Sequence, residues 1–136
     1  MKKLLLSFTL VLLSSLCFAQ KEKESEVYKK AVSNFELNYN SDNIDAIFLS
    51  FTPKFQQESP LSRTKDFLTS LKNKVGKITK KEFVRYEENQ ALYKTTFEGA
   101  IIALGVSVDD SGKINSIAVN PYKEDSHQKP ERTQSN

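Results

Sequence analysis

Apolar residues recur along the chain first at a helical period and then at a strand period. Tyr28, Val32, Phe35 and Tyr39 stand four, three and four residues apart, which marks one face of a helix. Asn40-Ser41-Asp42 interrupts that spacing and supplies an N-cap for a second helix, whose apolar face is Ile44, Ile47, Phe48 and Phe51. Pro53 is expected to end it, leaving an irregular segment to Gln57 with Phe55 turned inward. Ser59-Pro60 opens a third helix, since a proline at the first helical position gives up an N–H that has no partner there. Its buried face reads Leu61, Leu68, Leu71 and Val75, with Phe67 alongside, and Gly76 closes it.

From Lys77 onward the period is two. Ala91, Tyr93, Thr95 and Phe97 alternate with Leu92, Lys94, Thr96 and Glu98. Ile102, Leu104, Val106 and Val108 alternate with smaller residues as far as the turn Asp109-Asp110-Ser111-Gly112. A last strand runs from Lys113 to Val119, and Ile114 and Ile117 fall out of phase in it, which predicts a bulge or bend. Helices followed by strands predict an α+β fold over residues 25–122: three N-terminal helices packed on a curved, four-stranded antiparallel sheet. No apolar residue follows Tyr122, so residues 123–136 read as a disordered tail.

The start of the chain has a different grammar. Lys2 and Lys3, the apolar run from Leu4 to Leu16, and Ala19 ahead of a charged flank follow the three-part plan of a secretory signal. Cleavage after Ala19 is the expectation, giving a secreted or periplasmic protein with signal peptide 1–19 and no membrane span afterwards. Leu16, rather than a small residue, precedes Cys17, which speaks against lipid attachment there. Cys17 is the single cysteine and leaves with the signal, so neither a disulfide nor a thiol nucleophile is expected. Taking away Lys2 and Lys3 lowers the formal net charge from +3 to near +1. That balance, in an exported chain, excludes nucleic acid as the natural partner.

Few residues offer chemistry. His127 is the one histidine and lies in the polar tail, where nothing holds it against a metal or a base. No metal and no cofactor are expected. Asp109-Asp110-Ser111-Gly112 lacks the spaced ligands of a calcium loop and reads as a hairpin turn. Lys72, Lys74, Lys77, Lys80 and Lys81 cluster around the end of the third helix, where cations are favourable against the helix dipole. Tyr39, Phe55, Tyr86, Tyr93 and Phe97 are the candidate ligand-binding residues, because tyrosines put an apolar ring and a hydrogen-bonding tip at a pocket mouth. For each of them plain core packing is the competing reading. Ile101 and Ala103, on the strand face opposite Ile102 and Leu104, suggest an outer sheet face covered by a second copy, a homodimer.

The order of elements, with Phe48-Leu49-Ser50-Phe51-Thr52-Pro53-Lys54-Phe55, then Pro60, Phe67-Leu68, Leu71 and Gly76-Lys77-Ile78, resembles the nuclear-transport-factor-2-like (cystatin-like) cone fold. More narrowly, it is similar to the small domain of unknown function in secreted bacterial proteins, often found ahead of a serine hydrolase. The resemblance covers roughly residues 25–122 and implies a pocket between helices and sheet. Some members of that fold use the pocket for isomerase or dehydratase chemistry, with acid and base groups at its floor. Here the inward strand positions are apolar or aromatic, no serine nucleophile motif is present, and the resemblance carries over no catalytic residue.

Two functions remain. One is an exported, non-catalytic binding or accessory module that uses the pocket or the outer sheet face. Its partner would be a small molecule, a peptide or an envelope protein, a serine hydrolase among them. The other is a small isomerase or lyase with a carboxylate base, for which Glu82 and Glu98 are the candidates.

Overall fold

A computed structural model describes residues 22–124. Residues 1–19, expected to be a secretion signal, lie outside the described residues, as does the tail beyond Glu124 with His127. The described residues form an α+β fold, with helices α1 (Glu26–Asn40), α2 (Ile44–Leu49), α3 (Pro53–Glu58) and α4 (Leu61–Val75) ahead of strands β1 (Ile78–Glu87), β2 (Gln90–Phe97), β3 (Ile101–Val108) and β4 (Ile114–Pro121). The sheet is antiparallel in the order β1-β2-β3-β4.

α1 buries Val32, Phe35 and Tyr39, the face set by its spacing. Its C-terminus is tied to the sheet by Asn40, whose amide donates to the Ile78 carbonyl and whose side-chain oxygen accepts from the Ile78 N–H, both at 2.9 Å. The cap of α2 falls later than expected. Asp42 adopts a left-handed φ of 60°, and Asn43 caps the helix by accepting from the Ala46 N–H at 3.3 Å.

Pro53 corrects the expectation more strongly. Instead of ending a helix before an irregular stretch, it opens α3, with Thr52 as the cap accepting from the Phe55 N–H at 3.3 Å. The first-turn position expected of Pro60 is taken by Pro53, where a proline gives up an N–H that has no helical partner, while Pro60 is itself the cap residue ahead of Leu61. α4 buries Thr64 and Leu68, while Leu61, Leu71 and Val75 are half-buried and Phe67 is 45% exposed. Thr64 sits in the packed row because its hydroxyl is satisfied locally, donating to the Ser59 carbonyl at 3.1 Å.

The inner sheet face is the alternation read from the sequence. Ala91, Tyr93, Thr95 and Phe97 of β2 and Ile102, Leu104 and Val106 of β3 are buried, with α1 packed over β3 and the Tyr39 ring on Phe97. The β1–β2 turn is made by Glu88 and Asn89, both at positive φ, a two-residue turn whose twist matches that of the strands. The expected irregularity in β4 is present: Ser107 pairs with Ser116 and Val108 with Ile114, so Asn115 is the extra residue. A second irregularity lies in β1, where Tyr93 faces Phe83 and Leu92 faces Arg85, leaving Val84 over. That extra residue brings Tyr86 onto the same face as Phe83, with ring centroids 5.0 Å apart. β4 forms one edge of the sheet, and Ser50–Thr52 pairs in parallel with its start. The Thr52 N–H donates to the Ile114 carbonyl and the Ile114 N–H to the Ser50 carbonyl, each at 2.9 Å.

Candidate functional site

Because Pro53 begins a helix, Phe55 is carried to the side of the fold where α3, α4 and β4 meet. A cleft of about 240 Å³ opens there, walled by Phe51, Phe55, Phe67, Leu68 and Ile117, with Arg63 at its rim. The Phe51 and Phe55 rings are 4.4 Å apart and form one continuous wall, and Phe67 stands half out of it in solvent. The floor hydroxyls of Ser59 and Thr64 lie 3.1 Å apart and satisfy each other. Arg63 gives one N–H to the Glu58 carbonyl at 3.2 Å, and among the described residues no carboxylate lies within ion-pair distance of it. The cleft can therefore take an apolar group and present a cation to an anionic tip. Among the described residues its walls hold no carboxylate, histidine or cysteine.

The other candidate residues lie elsewhere. Tyr39 and Phe97 are 2% and 3% exposed and meet edge to face at 5.8 Å in the core. The Tyr39 hydroxyl donates to the Gly76 carbonyl at 2.9 Å. Burial first, then the carboxylates of Asp42 and Glu98, push its pKa up from 10.0 to about 12, so it is a neutral core donor. Tyr86 and Tyr93 meet Phe83 and Tyr28 in an aromatic cluster where the N-terminus of α1 passes the β1–β2 hairpin. So the structure gathers Tyr86 with Tyr93 and Tyr39 with Phe97, and sets Phe55 in the cleft apart from both.

The aromatic cluster holds a residue that the sequence reading missed. Glu24 accepts from the Tyr93 hydroxyl at 2.8 Å, and Ser25 donates its N–H to the Tyr86 hydroxyl at 2.7 Å. Burial, then the hydrogen bond to Glu24, keep the Tyr93 hydroxyl protonated well above the usual tyrosine range. Nothing in the charged run around Glu24 marks it out, because its partner is 69 residues away. The carboxylates that had been singled out serve elsewhere: Glu82 pairs with Lys80 at 3.1 Å on the surface, and Glu98 accepts from the Lys77 N–H at 2.8 Å.

The lysine cluster is largely engaged. Lys72 reaches the carbonyls of Tyr39 and Asn40 and the carboxylate of Asp42, and Lys81 pairs with Glu36. Asp109 closes its turn by accepting from the N–H groups of Ser111 and Lys113, both at 2.9 Å. Among the described residues no three acidic, histidine or cysteine side chains gather to hold a metal ion, and no helix is long and apolar enough to cross a membrane. On the outer sheet face Ile101 is 48% exposed, and a cleft of about 310 Å³ is bordered by Leu92, Gly105, Gln90 and Ala118.

A family model described as Protein of unknown function (DUF3887) matches residues 32–117, from the middle of α1 to the middle of β4. The chain belongs to this family. The DUF3887 match takes in the Phe51–Phe67 cleft, Tyr86 and Tyr93, and leaves Glu22–Ser25 outside it. No curated protein and no solved structure matches the chain.

Proposed function

We propose that this DUF3887 protein is an exported, non-catalytic binding module of the nuclear-transport-factor-2-like kind. Its ligand enters the cleft between α3, α4 and β4, with an apolar group against Phe55 and Phe67 and an anionic tip on Arg63. The observation that carries this reading is the cleft itself, an aromatic-walled concavity with one cation at the rim that no acid of the described chain neutralises. Small-molecule sites have this composition, mostly apolar walls and a few placed polar groups. At about 240 Å³ the cleft suits a short acyl chain or one large side chain of a peptide. The export signal expected at residues 1–19 and the resemblance to accessory domains of secreted hydrolases favour a small molecule, a peptide or an envelope protein as that ligand.

The rival reading, an isomerase or lyase, needs a carboxylate aimed into an open pocket. Glu98 is occupied by a backbone N–H, Glu82 by a lysine, and Glu24 by a tyrosine hydroxyl, which favours the binding reading. Octanoate, an apolar chain with an anionic end, is a suitable probe for amide NMR titration. Shifts centred on Phe55, Phe67 and Ile117 are expected, with affinity lowered about tenfold by Phe67→Ala and also by Arg63→Gln, as for an anchor residue in a pocket. Perturbation confined to other surfaces would sink the proposal. Turnover of a substrate that is abolished by removing one carboxylate would put the enzyme reading in its place.

A further inference from the structure

Glu22 to Ser25 belong to no helix or strand, yet the aromatic end of the fold grips three of these four residues. Glu24 takes the Tyr93 hydroxyl, Glu22 takes the backbone N–H of Tyr86 at 2.9 Å, and Ser25 gives its N–H to the Tyr86 hydroxyl. The partners lie 61 to 69 residues along the chain, so none of these bonds is local. Tyr93 is 1% exposed, on a central strand, and its ring is fixed against Phe83. A buried donor held that rigidly needs an acceptor, and an ionised carboxylate is the strongest one a protein offers. The Tyr86 N–H is a second fixed donor, on the sheet's edge strand β1.

The two donors select a pattern. In an extended segment, side chains two residues apart lie on the same side. Glu22 and Glu24 are such a pair, and Lys23 between them is exposed. What the aromatic end holds is thus a segment with two carboxylates in i, i+2 spacing whose last residue, Ser25, is extended, with φ −68° and ψ 141°.

We propose that the Tyr86–Tyr93 end is a receptor for extended acidic peptides carrying carboxylates two residues apart, and that Glu22–Ser25 occupies it as a built-in competitor. This goes beyond the cleft reading and uses none of the cleft's residues, so either can fail alone. A tethered segment competes at an effective concentration on the order of millimolar. An outside peptide therefore binds only the fraction of molecules whose own segment has left.

The experiment uses a fluorescein-labelled, end-capped peptide copying Lys21 to Ser25, added to the mature chain and to its Glu22→Gln/Glu24→Gln variant, with anisotropy as the readout. The variant should bind at least about tenfold tighter than the unsubstituted chain, because its own segment has lost two charge-assisted hydrogen bonds. Adding Tyr93→Phe to the variant should reverse that gain, and a peptide with glutamine at both acidic positions should not bind. The proposal is overturned if the variant melts cooperatively yet binds no better than the unsubstituted chain. Equal binding of the glutamine peptide, or indifference to Tyr93→Phe, overturns it as well. Should the variant not melt cooperatively, the unsubstituted chain at saturating peptide decides: the amide resonances of Tyr86 and Tyr93 move, or the proposal falls.

Discussion

Tyr93 donates its hydroxyl to Glu24 at 2.8 Å, joining the most buried tyrosine of the sheet to a segment that precedes the first helix. The bond makes the stability of the inner sheet face depend on a residue outside the regular elements. Glu24→Ala leaves a buried hydroxyl without its acceptor and should cost about 1–3 kcal/mol in urea unfolding. Tyr93→Phe removes the donor with its need and should cost less than Glu24→Ala. The double variant should fall well short of the sum of the two, and strict additivity in that cycle would show that the two side chains do not interact.

Tyr39 predicts the behaviour at high pH. Its folded pKa is raised to about 12 from 10.0, chiefly by burial, so between those values the unfolded chain has released a proton that the folded one keeps. Stability from this group is complete below pH 10 and declines as the pH rises toward 12. Chemical denaturation across that interval should show a shallower decline in Tyr39→Phe than in the unsubstituted chain. Parallel curves for the two proteins would contradict the assignment.

Asp109 predicts the acid side with the opposite sign. Hydrogen bonds from Ser111, then from the Lys113 N–H, hold its carboxyl below the ordinary 3.8. Its contribution is therefore present above that value and disappears as pH falls through the lowered one. Asp109→Ala should be less stable than the unsubstituted chain at neutral pH, and the two should converge in strong acid. A difference that persists undiminished in strong acid would mean the turn does not depend on the ionised carboxylate.

Gly76 joins α4 to β1 at a φ of 79°, and a Cβ there would lie 2.2 Å from the Glu98 carboxylate. Gly76→Ala must strain the backbone and push Glu98 off the Lys77 N–H, for a cost of about 1–3 kcal/mol. Glu98→Ala removes the 2.2 Å clash with the carboxylate and leaves the backbone strain and a 3.0 Å contact with the Cβ of residue 98. The double variant Gly76→Ala/Glu98→Ala should thus lose less than the sum of the two single changes in thermal unfolding.

The order of helices before strands, the buried face of α1 and the alternation along β2 and β3 were legible in the sequence, because each follows from the spacing of neighbouring apolar residues. The bulge at Asn115 was legible for the same reason: Ile114 and Ile117 break the period of two. Pro53 was misjudged because a proline at a helix boundary has two readings, and only the Thr52 cap selects the start over the stop. Of the candidate site, Phe55 could be singled out as an aromatic, but its cleft needs Arg63 and Phe67 from α4 and Ile117 from β4, which are brought together only by packing. Tyr86 reaches the inner face by the Val84 irregularity, which no alternation in β1 announces. Glu24 alternates with lysines in a charged run that gives no hint of its distant partner. Local periodicity and turn chemistry act over a few residues and are written in the sequence. The acceptor that a buried Tyr93 hydroxyl finds 69 residues away is set by how the finished sheet and the first helix converge, and that belongs to the tertiary structure alone.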